Sequence, residues 1–100
     1  MKFLVSYSIH PEKRHQALQA FSQMTQADDQ ADVGDKISFI GRWHVVGGDS
    51  GLAIVETTDA QALASWATNW NHIMDIEVKP VLDDKEAREI GKQKLGQEGL

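Results

Sequence analysis

The stretch IGRWHVVGGDSGLAIVE, from Ile40 to Glu56, constrains the fold of this chain more than any other. Two runs rich in β-branched and aromatic residues flank the glycine-rich turn GGDSG, a pattern that reads as two strands joined in an antiparallel hairpin. The strands are expected over Ile37 to Val46 and Leu52 to Thr57. A lone hairpin is marginal in water, so the rest of the chain must supply further strands and a cover.

It does so on both sides. Lys2 to Ile9 (KFLVSYSI) alternates, with Phe3, Val5, Tyr7 and Ile9 facing one way and Leu4, Ser6 and Ser8 the other, which is the period of a strand. Pro11 suits the first position of a helix, and Glu12 suits its positive end. Ala17, Leu18, Phe21 and Met24 share one helical face, so this helix is expected to run to about Thr25. Gln26 to Lys36 is polar and acidic and ends near Gly34, and reads as a solvated loop; its aspartates lack the spacing of a calcium loop. The TDAQ of Thr58 to Gln61 has capping-box spacing. Beyond it Leu63, Trp66, Ala67 and Trp70 form a core stripe at i, i+3, i+4, i+7. Ile73 to Leu82 alternates again, and Pro80 within it marks an edge strand or a strand end. Asp83 and Asp84 can cap a last helix whose apolar residues are few (Ala87, Ile90, Leu95) and which Gly91 weakens.

The order is β-α-β-β-α-β with a tail helix. The expected class is α+β: a ferredoxin-like sandwich, with a four-stranded antiparallel sheet, two helices on one face and a C-terminal helix. Residues 1–82 make the domain and 83–100 its helical extension. With Val46 opposite Leu52, His44 faces Ile54 and Arg42 faces Glu56. These residues then point to the open side of the sheet, and Trp43 to the helices. A register slip of one residue would exchange the sides. Both faces carry apolar residues, and a second subunit packed sheet to sheet is the simplest cover for the open one.

Composition excludes some classes of function. A formal net charge of −5 argues against a general nucleic-acid binder and gives no electrostatic reason to bind anionic lipid. No cysteine is present, so disulfides, thiolate metal sites and cysteine nucleophiles are ruled out. The N-terminus has too short an apolar run for a signal peptide, and no segment approaches a membrane span. A cytoplasmic protein is expected, with no nucleic-acid or membrane partner.

MKFLVSYSIHPEKR, the GRWH of residues 41–44, the GLAIVETTD of 51–59, the WATNW of 66–70 and the EVKPVLDDKEA of 77–87 resemble an uncharacterised bacterial family. It is a family of small proteins with an assigned domain of unknown function, similar to the dimeric alpha-beta barrel superfamily. The resemblance spans nearly the whole chain and is weakest over the acidic loop. It implies ferredoxin-like subunits that dimerise through their sheets, often with a ligand pocket between sheet and helices. The superfamily includes cofactor-free monooxygenases, muconolactone-isomerase-like enzymes, haem proteins and plain ligand binders. Fold alone does not choose among them.

Five residues are candidates for a ligand site: Arg42, His44, Glu56, His10 and Trp43. Arg42 could hold a carboxylate or enolate while His44 moves a proton near neutral pH. The plainer alternative is an Arg42–Glu56 ion pair at the sheet rim or the dimer contact. His10 ends the first strand and could cap the following helix; His15 reads as surface, and His72 as a helix-end residue. No two histidines have the helical spacing of a zinc site, and no metal or cofactor is expected. Tyr7, Trp43, Trp66 and Trp70 could line an aromatic pocket, though Trp66 and Trp70 fit the core stripe. The GGDSG turn joins strand to strand, whereas phosphate loops lead into a helix. The third strand lacks the base-stacking aromatics of an RNA-recognition fold. A homodimeric small-ligand-binding protein is the expected function. A cofactor-free monooxygenase- or isomerase-like enzyme and a purely structural dimer are the alternatives.

Overall fold

A computed structural model describes residues 1–97. The last three residues of the expected 83–100 extension lie outside them. Four strands, β1 (Lys2–Ile9), β2 (Ser38–His44), β3 (Ser50–Glu56) and β4 (Met74–Val81), form one antiparallel sheet in the order β2-β3-β1-β4. Helix α1 (Arg14–Ser22) follows a 3-10 turn at Pro11–Lys13, and α3 (Ala60–Trp70) connects β3 to β4. This is the ferredoxin-like α+β fold. β4 is an edge strand, the position that Pro80 requires.

The alternation of β1 is realised as read. Val5 is buried among Ala53 and Val55 of β3 and Leu63 and Trp66 of α3, and Phe3 packs against this core. Leu63 and Trp66 are buried because they stand one helical turn apart on the face of α3 that meets the sheet. Asp59 caps α3 by accepting from the Ala62 N–H at 3.0 Å. Thr57, the residue before the expected TDAQ box, is itself buried; its hydroxyl donates to the Lys36 carbonyl and accepts from the Asp59 N–H.

The acidic segment read as a loop is instead a helix, α2 (Gln26–Val33). Thr25 and Asp28 form a reciprocal capping box: the Asp28 N–H donates to the Thr25 hydroxyl and the Thr25 N–H to the Asp28 carboxylate. Asp28 and Asp29 in its first turn favour the helix dipole, and Gly34 ends it at a φ of 80°. The capped helix turns Val33 into the core, where Ile37 joins it.

The hairpin register also differs from expectation, and this moves the candidate residues. Trp43 stands opposite Leu52 and Arg42 opposite Ala53, with His44 opposite Gly51. Ser50 and Gly51 belong to the strand, and the turn closes earlier, with the Val45 N–H bonded to the Ser50 carbonyl at 2.9 Å. An odd shift in pairing exchanges the two sides of a strand. A bulge between Phe39 and Gly41 changes the phase once more, so that Phe39 and Arg42 reach the same helix side. Arg42 and His44 therefore face the helices. Trp43 goes to the open side, 58% exposed, its ring lying over Gly41, where any Cβ would collide with it.

Helix α4 (Asp84–Gln97) contains no buried residue. Asp83 and Glu86 cap its start reciprocally. Lys2 ties that start to the sheet, its Nζ lying 3.3 Å from Glu56, 3.3 Å from Asp83 and 3.6 Å from Glu86. These carboxylates raise the Lys2 pKa above its ordinary value, Glu56 contributing most.

Candidate functional site

Between the sheet and helices α1 and α3 lies a cavity of about 290 Å³. Its origin is visible in α1. The apolar stripe Ala17, Leu18, Phe21 and Met24 lines the cavity instead of closing on the sheet. Only Ala17 is buried, while Leu18 and Phe21 are 62% and 42% exposed. Trp66 and Trp70 of α3 and Ile76 of β4 also line the cavity.

The polar groups gather at two places. At the first, the Tyr7 hydroxyl and His44 Nδ1 share a hydrogen bond that crosses β3 above Gly51. Gly51 makes this possible, since a Cβ there would strike the Tyr7 hydroxyl and come within 2.6 Å of the Trp43 carbonyl. Partial desolvation of the exposed His44 lowers its pKa below 6.5, and the nearby Arg42 charge lowers it further. Burial also raises the Tyr7 pKa, Arg42 opposing it in part. Both shifts favour the neutral forms of the pair, and the tautomer of His44 decides which partner donates. Phe21 covers the imidazole at a centroid distance of 4.9 Å.

Beside this pair, the Arg42 guanidinium lies between the rings of Phe21 and Phe39, 5.0 and 4.9 Å from their centroids. One of its nitrogens is 3.1 Å from Asp29 Oδ1. That oxygen is buried and no donor among the described residues is aligned on it, so the contact is a through-space ion pair rather than a directed bond. The second polar place is Asp32 on α2. The Trp66 N–H donates to its Oδ2 at 2.8 Å, and the Trp70 N–H is shared between Oδ1 at 2.9 Å and Oδ2 at 3.0 Å.

Of the candidate residues, the cavity brings together Arg42 and His44. Glu56 pairs with Lys2 rather than Arg42, and Trp43 is on the open side. His10 turns to Asp75, its Nε2 3.0 Å from the carboxylate, and makes no helix-capping bond. His15 is exposed on α1, and His72 is exposed just beyond α3. Trp66 belongs to the buried core and Trp70 packs against it, as the core stripe requires, and with Tyr7 both also border the cavity. Phe21 and Asp32 were not singled out as site residues. The signal for Asp32 was the capping pattern TQAD, which, read as a helix start, puts Asp32 one position before the core residue Val33. Among the described residues, no three His, Asp or Glu side chains converge as a metal would require.

An imidazole whose pKa is depressed by folding takes up its proton first in the unfolded chain. The stability His44 contributes is therefore complete above the unfolded value near 6.5 and is lost as pH falls through it toward the folded value. The advantage in Tm of the native chain over His44→Gln is expected to shrink as thermal melts go from about pH 7.5 to pH 5. A constant difference would contradict the assignment of a neutral, partly desolvated imidazole.

No helix among the described residues is long and apolar enough to cross a membrane. No curated protein matches the sequence. A family model described as a domain of unknown function, DUF3303, matches residues 1–95, so the chain belongs to that family.

Proposed function

We propose that this protein is a homodimer that binds a small, largely apolar ligand, with its pocket on the helix side of the sheet. The cavity itself carries the reading: apolar and aromatic walls converge on a few placed polar groups, the usual make-up of a small-ligand site. Arg42 and His44 are the candidate ligand contacts, and Tyr7 holds His44 in place. Glu56, Trp43 and His10 lie elsewhere and are better assigned to structure or assembly.

Dimerisation is supported by the opposite face. Leu4, Leu52, Ile54 and Trp43 form an apolar band there, on neighbouring strands. Ala87, Ile90 and Leu95 add an uncovered stripe along α4. A second copy packed sheet to sheet would cover the band. The Tyr7–His44 bond beside a guanidinium favours one further reading: a cofactor-free isomerase- or monooxygenase-like enzyme, with His44 handling a proton and Arg42 holding developing negative charge.

Sedimentation of the full chain at micromolar concentration with 8-anilinonaphthalene-1-sulfonate tests the two parts separately. A dimer carrying enhanced dye emission is expected. Ala17→Trp, which fills the cavity, should lose the emission and keep the dimer. Leu52→Glu should yield a monomer. A native monomer would reject the dimer, and full emission from Ala17→Trp would reject the pocket.

A further inference from the structure

The cavity's hydrogen-bonding groups are unevenly spent. Asp32 lines it, but its two oxygens already accept from Trp66 and Trp70, and those indole N–H groups are used in turn. The Tyr7 hydroxyl is engaged with His44 Nδ1. What remains includes the Ser50 hydroxyl and the Arg42 guanidinium, the latter of which can only donate. Arg42 touches Asp29 through one nitrogen, and its guanidinium makes no directed hydrogen bond among the described residues; His44 Nε2 makes none either. A ligand seated here must bring acceptors to this end, or leave those donors unpaired at a cost.

We infer that the occupant is a ring-bearing, largely apolar molecule with an oxygen-acceptor head group, a carboxylate above all, set against Arg42; this rests on the cavity being the binding pocket. The body of such a molecule meets Phe21, Trp66 and Trp70. Its head meets a guanidinium already packed over the rings of Phe21 and Phe39, 5.0 and 4.9 Å from their centroids, which limits the side-chain freedom lost on binding. A planar fork offers a carboxylate two parallel N–H bonds, which neither an alcohol nor an ammonium can accept. Asp29 does not line the cavity; its contact with one guanidinium nitrogen offsets part of the charge.

Three probes of similar body separate the possibilities: 2-naphthoate, 2-naphthalenemethanol and 2-naphthylmethylammonium, each titrated into the full chain and followed by tryptophan emission. Naphthoate is expected to bind roughly tenfold tighter than the alcohol, with the ammonium weakest. In Arg42→Met that preference should vanish while the alcohol still binds. Arg42→Lys, which keeps the charge without the fork, should recover only part of it. Equal binding of alcohol and naphthoate, or tighter binding of the ammonium, overturns the head-group assignment and leaves the pocket standing. Failure of all three to bind overturns the pocket itself.

Discussion

Asp32→Ala is expected to melt about 15 °C below the native chain, a loss of about 3 kcal/mol. The carboxylate is the shared acceptor of two indole N–H groups on α3, reached from α2, an element distant in sequence. Removing it strands both donors at a partly buried site, where neither is fully open to water. It also cuts the polar tie between α2 and the wall of the cavity. Asp32→Asn should lose less, since one oxygen still accepts. Trp70→Phe should cost only about 1 kcal/mol, because it removes one donor along with its need for a partner. Differential scanning fluorimetry of the three variants gives the order directly. Equal melting of Asp32→Ala and the native chain would mean that the indoles are satisfied some other way.

Gly51→Val is expected to be comparably damaging, by about 3 kcal/mol. A side chain there meets the Tyr7 hydroxyl on one side and the Trp43 carbonyl, a backbone atom, at 2.6 Å on the other. Tyr7 could swing away only by giving up His44, and the carbonyl cannot move without opening the β2–β3 ladder. Gly47→Ala provides the contrast. The nearest atom to its added Cβ is Asp49 Oδ1 at 3.8 Å, so a change within about 0.5 kcal/mol is expected. Denaturant unfolding of both variants tests this. A Gly51→Val chain as stable as Gly47→Ala would show that the crossing of Tyr7 over β3 is not a fixed feature.

These effects also explain what the sequence could and could not reveal. β1 and β4 were legible because their apolar residues repeat every second position, and α3 because Leu63, Trp66 and Trp70 repeat at helical spacing. Helix α2 was not. Its sequence, QADDQADV, has one large apolar residue, and its stability comes from a capping box and from Asp32 reaching indoles far along the chain. Such a carboxylate looks like a solvated one until the fold supplies its partners.

The site was half legible for a similar reason. Arg42 and His44 were recognisable as chemistry-bearing residues on one strand face. Which face depended on where the hairpin turn closes and on the bulge beside Ile40. Period-two alternation is blind to both: it says which residues travel together, not which way they point. Glu56, paired with Arg42 on paper, lies near Lys2 and the start of α4 instead.

The divergence of the tryptophans has a practical consequence. Trp43 is 58% exposed on the sheet face proposed to meet a second copy, whereas Trp66 is 8% exposed and, with Trp70, lines the cavity. The chain thus carries intrinsic fluorophores in two environments, a wet one emitting to the red and a dry one to the blue. Dilution of a dimer would shift the first signal, and a ligand would perturb the second. With Trp43→Phe as the reference, one emission spectrum can follow assembly and occupancy as separate channels, without an attached label.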